Sequence, residues 1–176
     1  MYKLFLALAL AGALSAQQAQ KKPQTLREVL LEQLHTTDDV EDWFVPIRVA
    51  VEGLSPEQVK WTDGQGGHSI GQLVNHMAFW NEQNLHRFQG TTLLAYSGDN
   101  DETFNKFDSK TWVATKDRLI QVMKDWEKTV ETVDEAKLKT EASRIAHVGT
   151  HNAYHLGQII YIRKLQGSWD PSKGVK

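Results

Sequence analysis

Three features of the chain predict an all-α fold, a four-helix bundle. Apolar residues recur at helical spacing in four segments, no strand-like alternation is long enough to build a sheet, and 176 residues contain only 4 prolines and 12 glycines. Four amphipathic helices can bury one common core. The composition, 40% apolar and 24% charged with a formal net charge of -2, is that of a single soluble domain. The 20 basic and 22 acidic residues nearly cancel, which removes the electrostatic footprint of a protein that neutralises many phosphates, so nucleic acid is not an expected partner. With no cysteine, disulfides, thiolate zinc sites, iron–sulfur clusters and a nucleophilic thiol are excluded. Any metal must be held by His, Asp or Glu.

Residues 1–16 have the layout of a signal peptide. Lys3 precedes the apolar run Leu4 to Ala11, and small residues lead to Ala16, where cleavage is expected; Ala19 is the alternative. The run is too short for a bilayer anchor, which needs about 20 apolar residues. The reading is therefore an exported protein, periplasmic or extracellular, with no membrane attachment after cleavage. A polar linker at 17–24, a domain at 25–170 and a tail at 171–176 follow.

Thr25-Leu-Arg-Glu28 has the spacing of a capping box and opens a first helical pattern reaching about Gly53, with Pro46 inside it as a kink or break. Ser55-Pro-Glu-Gln58 is a second box and predicts a short helical turn before Trp61; Gly64, Gly66 and Gly67 mark a loop. A third box, Ser69-Ile-Gly-Gln72, starts the second long helix, which runs to about Gln89. Residues 90–107 form an unusually long connection, enough to cross the bundle end to end and let the second and third long helices run parallel. The third spans Asp108 or Ser109 to about Val133. After the charged stretch Asp134 to Glu141, the fourth runs from about Ser143 to Leu165.

The candidate functional residues are histidines. His147, His151 and His155 lie on one stripe, advancing about 40° per step, with Gln158 in the same arc. Imidazoles one turn apart project in register at about 5–6 Å and can chelate one ion, as His151 and His155 do by spacing. His147 and His155 are about 12 Å apart by helical rise, so all three do not easily share a metal. His147 reads as a seam histidine or a support for the site, and Gln158 as a support or a buried amide serving the backbone. His76 falls at the edge of the apolar arc of the second long helix, between Leu73 and Trp80, which places it at a seam. There, His76, His151 and His155 give three nitrogens from two helices with positions left open. A hydrogen-bonded seam histidine fits His76 equally well on spacing alone. His35, His68 and His86 read as surface or turn residues.

Two segments carry a family resemblance. Ser69-Ile-Gly-Gln-Leu-Val-Asn-His76 and His151-Asn-Ala-Tyr-His155-Leu-Gly-Gln158-Ile resemble the second- and fourth-helix motifs of the DinB/YfiT-like metalloproteins, and Leu54-Ser-Pro-Glu-Gln58 with Trp61 resembles their connection between the first two helices. The resemblance spans roughly residues 25–167. It implies a four-helix bundle of unusual connectivity and a divalent metal on His76, His151 and His155. Leu156 stands where many relatives carry a basic residue.

Such a donor set suits zinc, nickel, iron(II) or manganese, with zinc the first expectation. An open position permits metal-dependent hydrolysis or group transfer on a small molecule; the alternative is a binding bundle without turnover. His151 is followed by Asn152 and not by the acid that a zincin helix carries, so a general base must come from elsewhere, with Glu82 one candidate. Trp43, Trp61 and Trp80 are candidates to line a pocket. A homodimer is compatible with the sequence.

Overall fold

Thr25 caps the first helix, α1 (Leu26–Asp38), through a reciprocal box: its hydroxyl accepts from the Glu28 amide at 3.2 Å, and Glu28 Oε2 accepts from the Thr25 amide at 3.0 Å. The computed structural model describes residues 25–174, so the expected leader at 1–16 and linker at 17–24 lie outside the described residues. The helix does not continue to Gly53 as expected. It stops at Asp38, and Pro46 instead precedes a one-turn helix, α2 (Ile47–Ala50). A buried carboxylate explains the early stop. The Asp38 side chain is 0% exposed and needs a charged partner, and Arg48 reaches it with two donations of 3.0 and 2.6 Å only because the chain folds back. Pro46, lacking an N–H and holding its predecessor extended, suits that return.

The other two boxes form as expected. Ser55 and Gln58 cap α3 (Pro56–Lys60), and Ser69 and Gln72 cap α4 (Ile70–Gln89), which ends on left-handed Gly90. The long connection contains one helical turn, α5 (Glu102–Asn105). Residues Ser109–Thr111 then lead into α6 (Trp112–Thr132), and α7 (Glu135–Leu165) completes the bundle. This last helix starts well before the expected Ser143. Asp134 accepts from the Lys137 amide at 2.9 Å as its cap, and within the charged stretch Leu138 is fully buried while Lys137 extends over the Phe88 ring at 4.7 Å.

The helices form a closed ring in which α1 and α4 each pack against both α6 and α7. Side-chain pairs fix the directions. Phe107, just ahead of α6 and edge-on to Trp112 at its start, lies by Gly71 at the start of α4, and Phe88 near the end of α4 meets Trp126, so α4 and α6 run parallel. His76 faces His155 and Asn84 faces Arg144, so α7 runs antiparallel to α4. The core between them is built on Ile70, Met77, Leu119, Trp126, Ile145 and Ile159. Beyond α7, Arg163 donates to the carbonyls of Ala50, Glu52 and Ser168, and Lys173 pairs with Glu52, tying the chain's last described turn to α2. No helix among the described residues is long and apolar enough to cross a membrane.

Candidate metal centre

His76 projects from α4, and His151 and His155 from one face of α7, into the α4–α7 seam. His151 Nε2 lies 3.1 Å from His76 Nε2 and 3.1 Å from His155 Nε2. Two nitrogens sharing an ion at bond lengths of about 2.0–2.1 Å would be roughly 3.0–3.4 Å apart, so these separations match a common ligand set. The register that produces them is held by an amide pair in the same seam. Asn81 donates to Asn152 Oδ1 at 2.7 Å and Asn152 donates back at 3.1 Å, both buried. Asn152 thus ties the helix pair together and also hydrogen-bonds His151.

The far nitrogens of two rings have fixed roles. Thr103 donates its hydroxyl proton to the Asn100 carbonyl at 2.7 Å, so it can only accept from His76 Nδ1, 2.6 Å away. Gln158 Oε1 lies 2.7 Å from His155 Nδ1 and accepts from it, while Gln158 Nε2 donates to Tyr154 Oη. Both rings therefore present a lone pair at Nε2. His151 has at most one Nε2 proton and cannot satisfy both neighbours, so the trio fits a cation better than it fits its own hydrogen bonds. Burial, reinforced by the neighbouring imidazoles, pushes His76 down to about 3 and His151 to about 4; burial lowers His155 as well, against the opposing Gln158 hydrogen bond. All three are neutral at physiological pH, the form in which an imidazole can bind a metal.

Phe104 completes the support. Its ring stacks on His76 at 3.9 Å and on His68 at 3.8 Å, forming a three-ring column. Thr103 and Phe104 both come from α5, so the long connection holds the His76 ring from outside. Neither residue stood out in the sequence, where a single turn inside an aperiodic stretch leaves no pattern. Gln158, whose role was open, supports His155.

The three histidines form part of the wall of an 840 Å³ cavity. Its apolar surface includes Trp80 and Val148, and its polar groups include Glu141, Arg144, His147 and Tyr154. His147 is exposed and lies outside the trio, with Nδ1 donating to the Ser143 carbonyl at 2.6 Å. Glu82 is not available as a base: it forms a forked ion pair with Arg118 of α6. Of the three tryptophans considered, only Trp80 lines this cavity. Trp43 is 90% exposed and Trp61 faces a different hollow. His35, read as a surface or turn residue, faces Glu127 across the α1–α6 seam.

A ring of four long helices carrying three neutral imidazoles at the wall of a cavity defines a helical-bundle protein whose donor set is compatible with a divalent metal. The chain matches the family model of the DinB superfamily over residues 46–159 and belongs to that superfamily. None of the curated proteins and none of the solved structures compared with the chain matches it.

Proposed function

We propose that this is an exported metalloprotein in which His76, His151 and His155 hold one divalent ion, zinc before nickel, iron(II) or manganese, for hydrolysis or group transfer on a small molecule. The observation that carries the reading is the convergence of three Nε2 atoms on the wall of an 840 Å³ cavity instead of inside a closed cage. An ion bound there supplies Lewis acidity, lowering the pKa of water to about 7 and polarising a carbonyl or phosphoryl oxygen. Thr103 and Gln158 keep the Nδ1 protons in place and the Nε2 lone pairs aimed inward. Trp80 and Val148 offer an apolar surface to the body of a ligand. His147, its Nδ1 committed to the Ser143 carbonyl, retains Nε2 for proton exchange with a ligand in the cavity.

Metal analysis of tag-free protein, followed by a panel of esters, amides, phosphoesters and thiol-transfer substrates with the native metal restored, tests the reading. A catalytic centre predicts that His155→Ala abolishes turnover with a moderate loss of stability. If chelation collapses the fold and no substrate turns over, the site is a structural or binding one. Mass spectrometry of protein from an extracytoplasmic fraction should show a chain beginning near Gln17; an intact Met1 on soluble cytoplasmic protein refutes export.

A further inference from the structure

Among the described residues, the cavity wall that carries the histidine trio includes one acid and one arginine or lysine, Glu141 and Arg144, and these are neighbours one turn apart on α7. Arg144 is held from two helices. Its Nε donates to Glu141 Oε2 at 2.7 Å, and its Nη1 donates to Asn84 Oδ1 at 3.3 Å across the seam to α4. Asn84 is fixed in turn, its amide donating to the Trp80 carbonyl at 2.8 Å, and Trp80 lines the same cavity. The guanidinium is therefore oriented before any ligand arrives. A carboxylate that closed fully on it would make two parallel bonds. Here one bond forms, so Arg144 Nη2 keeps its protons and Glu141 Oε1 its lone pairs, with neither engaging another of the described residues. Both side chains are partly exposed, at 31% and 28%, so a ligand can reach them.

We infer, resting on the metal-centre reading of the same cavity, that this pair holds a zwitterionic, amino-acid-type headgroup, its carboxylate on Arg144 and its ammonium on Glu141. A lone anion or a lone cation is attracted by one member of the pair and repelled by the other; a group carrying both charges satisfies both. Two helices agree on the length of the molecule. Arg144 precedes His151 by seven residues and Asn84 follows His76 by eight, which is about 10.5 and 12 Å of helical rise. The substrate class is thus a small molecule with an amino-acid group at one end and its reacting carbonyl or phosphoryl group about 10–12 Å away. An extended molecule of that size fits a cavity of 840 Å³, with Trp80 and Val148 beside its apolar middle.

Calorimetric titration of the full chain, zinc-loaded and metal-free, with three hydroxamates tests the headgroup site, the hydroxamate taking the metal while the far end samples the charged pair. The probes are α-aminosuberic acid ω-hydroxamate, suberic acid monohydroxamate, which lacks the ammonium, and aminoheptanohydroxamate, which lacks the carboxylate. The zwitterion should bind the zinc-loaded protein about 10-fold more tightly than either analogue. Arg144→Gln should erase its advantage over the amine-only probe and Glu141→Gln its advantage over the acid-only probe, with zinc content unchanged in both variants. Equal affinity for the three probes, a preference that both variants retain, or no binding of any probe overturns the headgroup site. If removing zinc leaves every affinity as it was, the metal-centre reading fails instead. The headgroup site then stands where the ranking of probes still depends on Arg144 and Glu141, and falls where it does not.

Discussion

The Thr103 hydroxyl, by donating to Asn100 O, fixes which nitrogen of His76 carries the proton. Thr103→Val keeps the shape and removes the acceptor, so zinc affinity should fall about 10–100-fold with little change in melting temperature. A competition titration showing unchanged affinity would mean that the Phe104 stack alone orients the ring. A different residue pair controls stability. Charge pairing favours ionised Arg48, but burial still holds the Asp38 carboxyl above its ordinary 3.8 despite the Arg48 hydrogen bond. Arg48→Ala therefore strands a buried carboxylate and should cost about 3 kcal/mol, whereas Asp38→Asn should cost about 1. Because the folded pKa is raised, protonation stabilises fully below about pH 3.8 and the contribution is lost as pH rises through the folded value. Removing Arg48 raises that value further, so the variant's deficit should widen between pH 4 and 7. Urea titrations showing a constant deficit would contradict this.

At the scale of elements, starts were easier to read than stops. The boxes at Thr25, Ser55 and Ser69 are local chemistry, legible from side chains three residues apart. The end of α1 is not local: it depends on Arg48 closing back on Asp38, a contact that periodicity does not encode. The start of α7 was hidden by charge, since the solvated face of Glu135 to Glu141 resembles a loop although Asp134 caps it and Leu138 is buried. Asp134→Ala should thus lower stability by about 1 kcal/mol, and Ser143→Ala, at the expected start, should stay within about 0.5 kcal/mol of the parent. The reverse order in chemical denaturation would place the functional end of the helix where the sequence pattern did. Packing of the long connection adds a second check at this scale. A Cβ on Gly71 would lie 2.1 Å from the Phe107 ring, so Gly71→Ala should destabilise the protein by about 1–3 kcal/mol, read from the same denaturation curves.

For the molecule as a whole, parallel α4 and α6 with antiparallel α7 bring His76 to His151 and His155 across 75 residues of chain. The ligand stripe on α7 and the seam position of His76 could be read from helical periodicity; their meeting could not, because it rests on the Asn81–Asn152 pair and on a connection that crosses the bundle. The cavity, too, is a product of assembly, its walls drawn from α4, α5 and α7. The most direct test of the three-histidine centre is X-ray absorption at the zinc edge on the protein loaded with one equivalent of zinc. Three imidazole nitrogens at about 2.0–2.1 Å, with the signal abolished when His155→Ala is added, is the predicted result. A shell dominated by oxygen with one imidazole or none, or one that His155→Ala leaves unchanged, contradicts it.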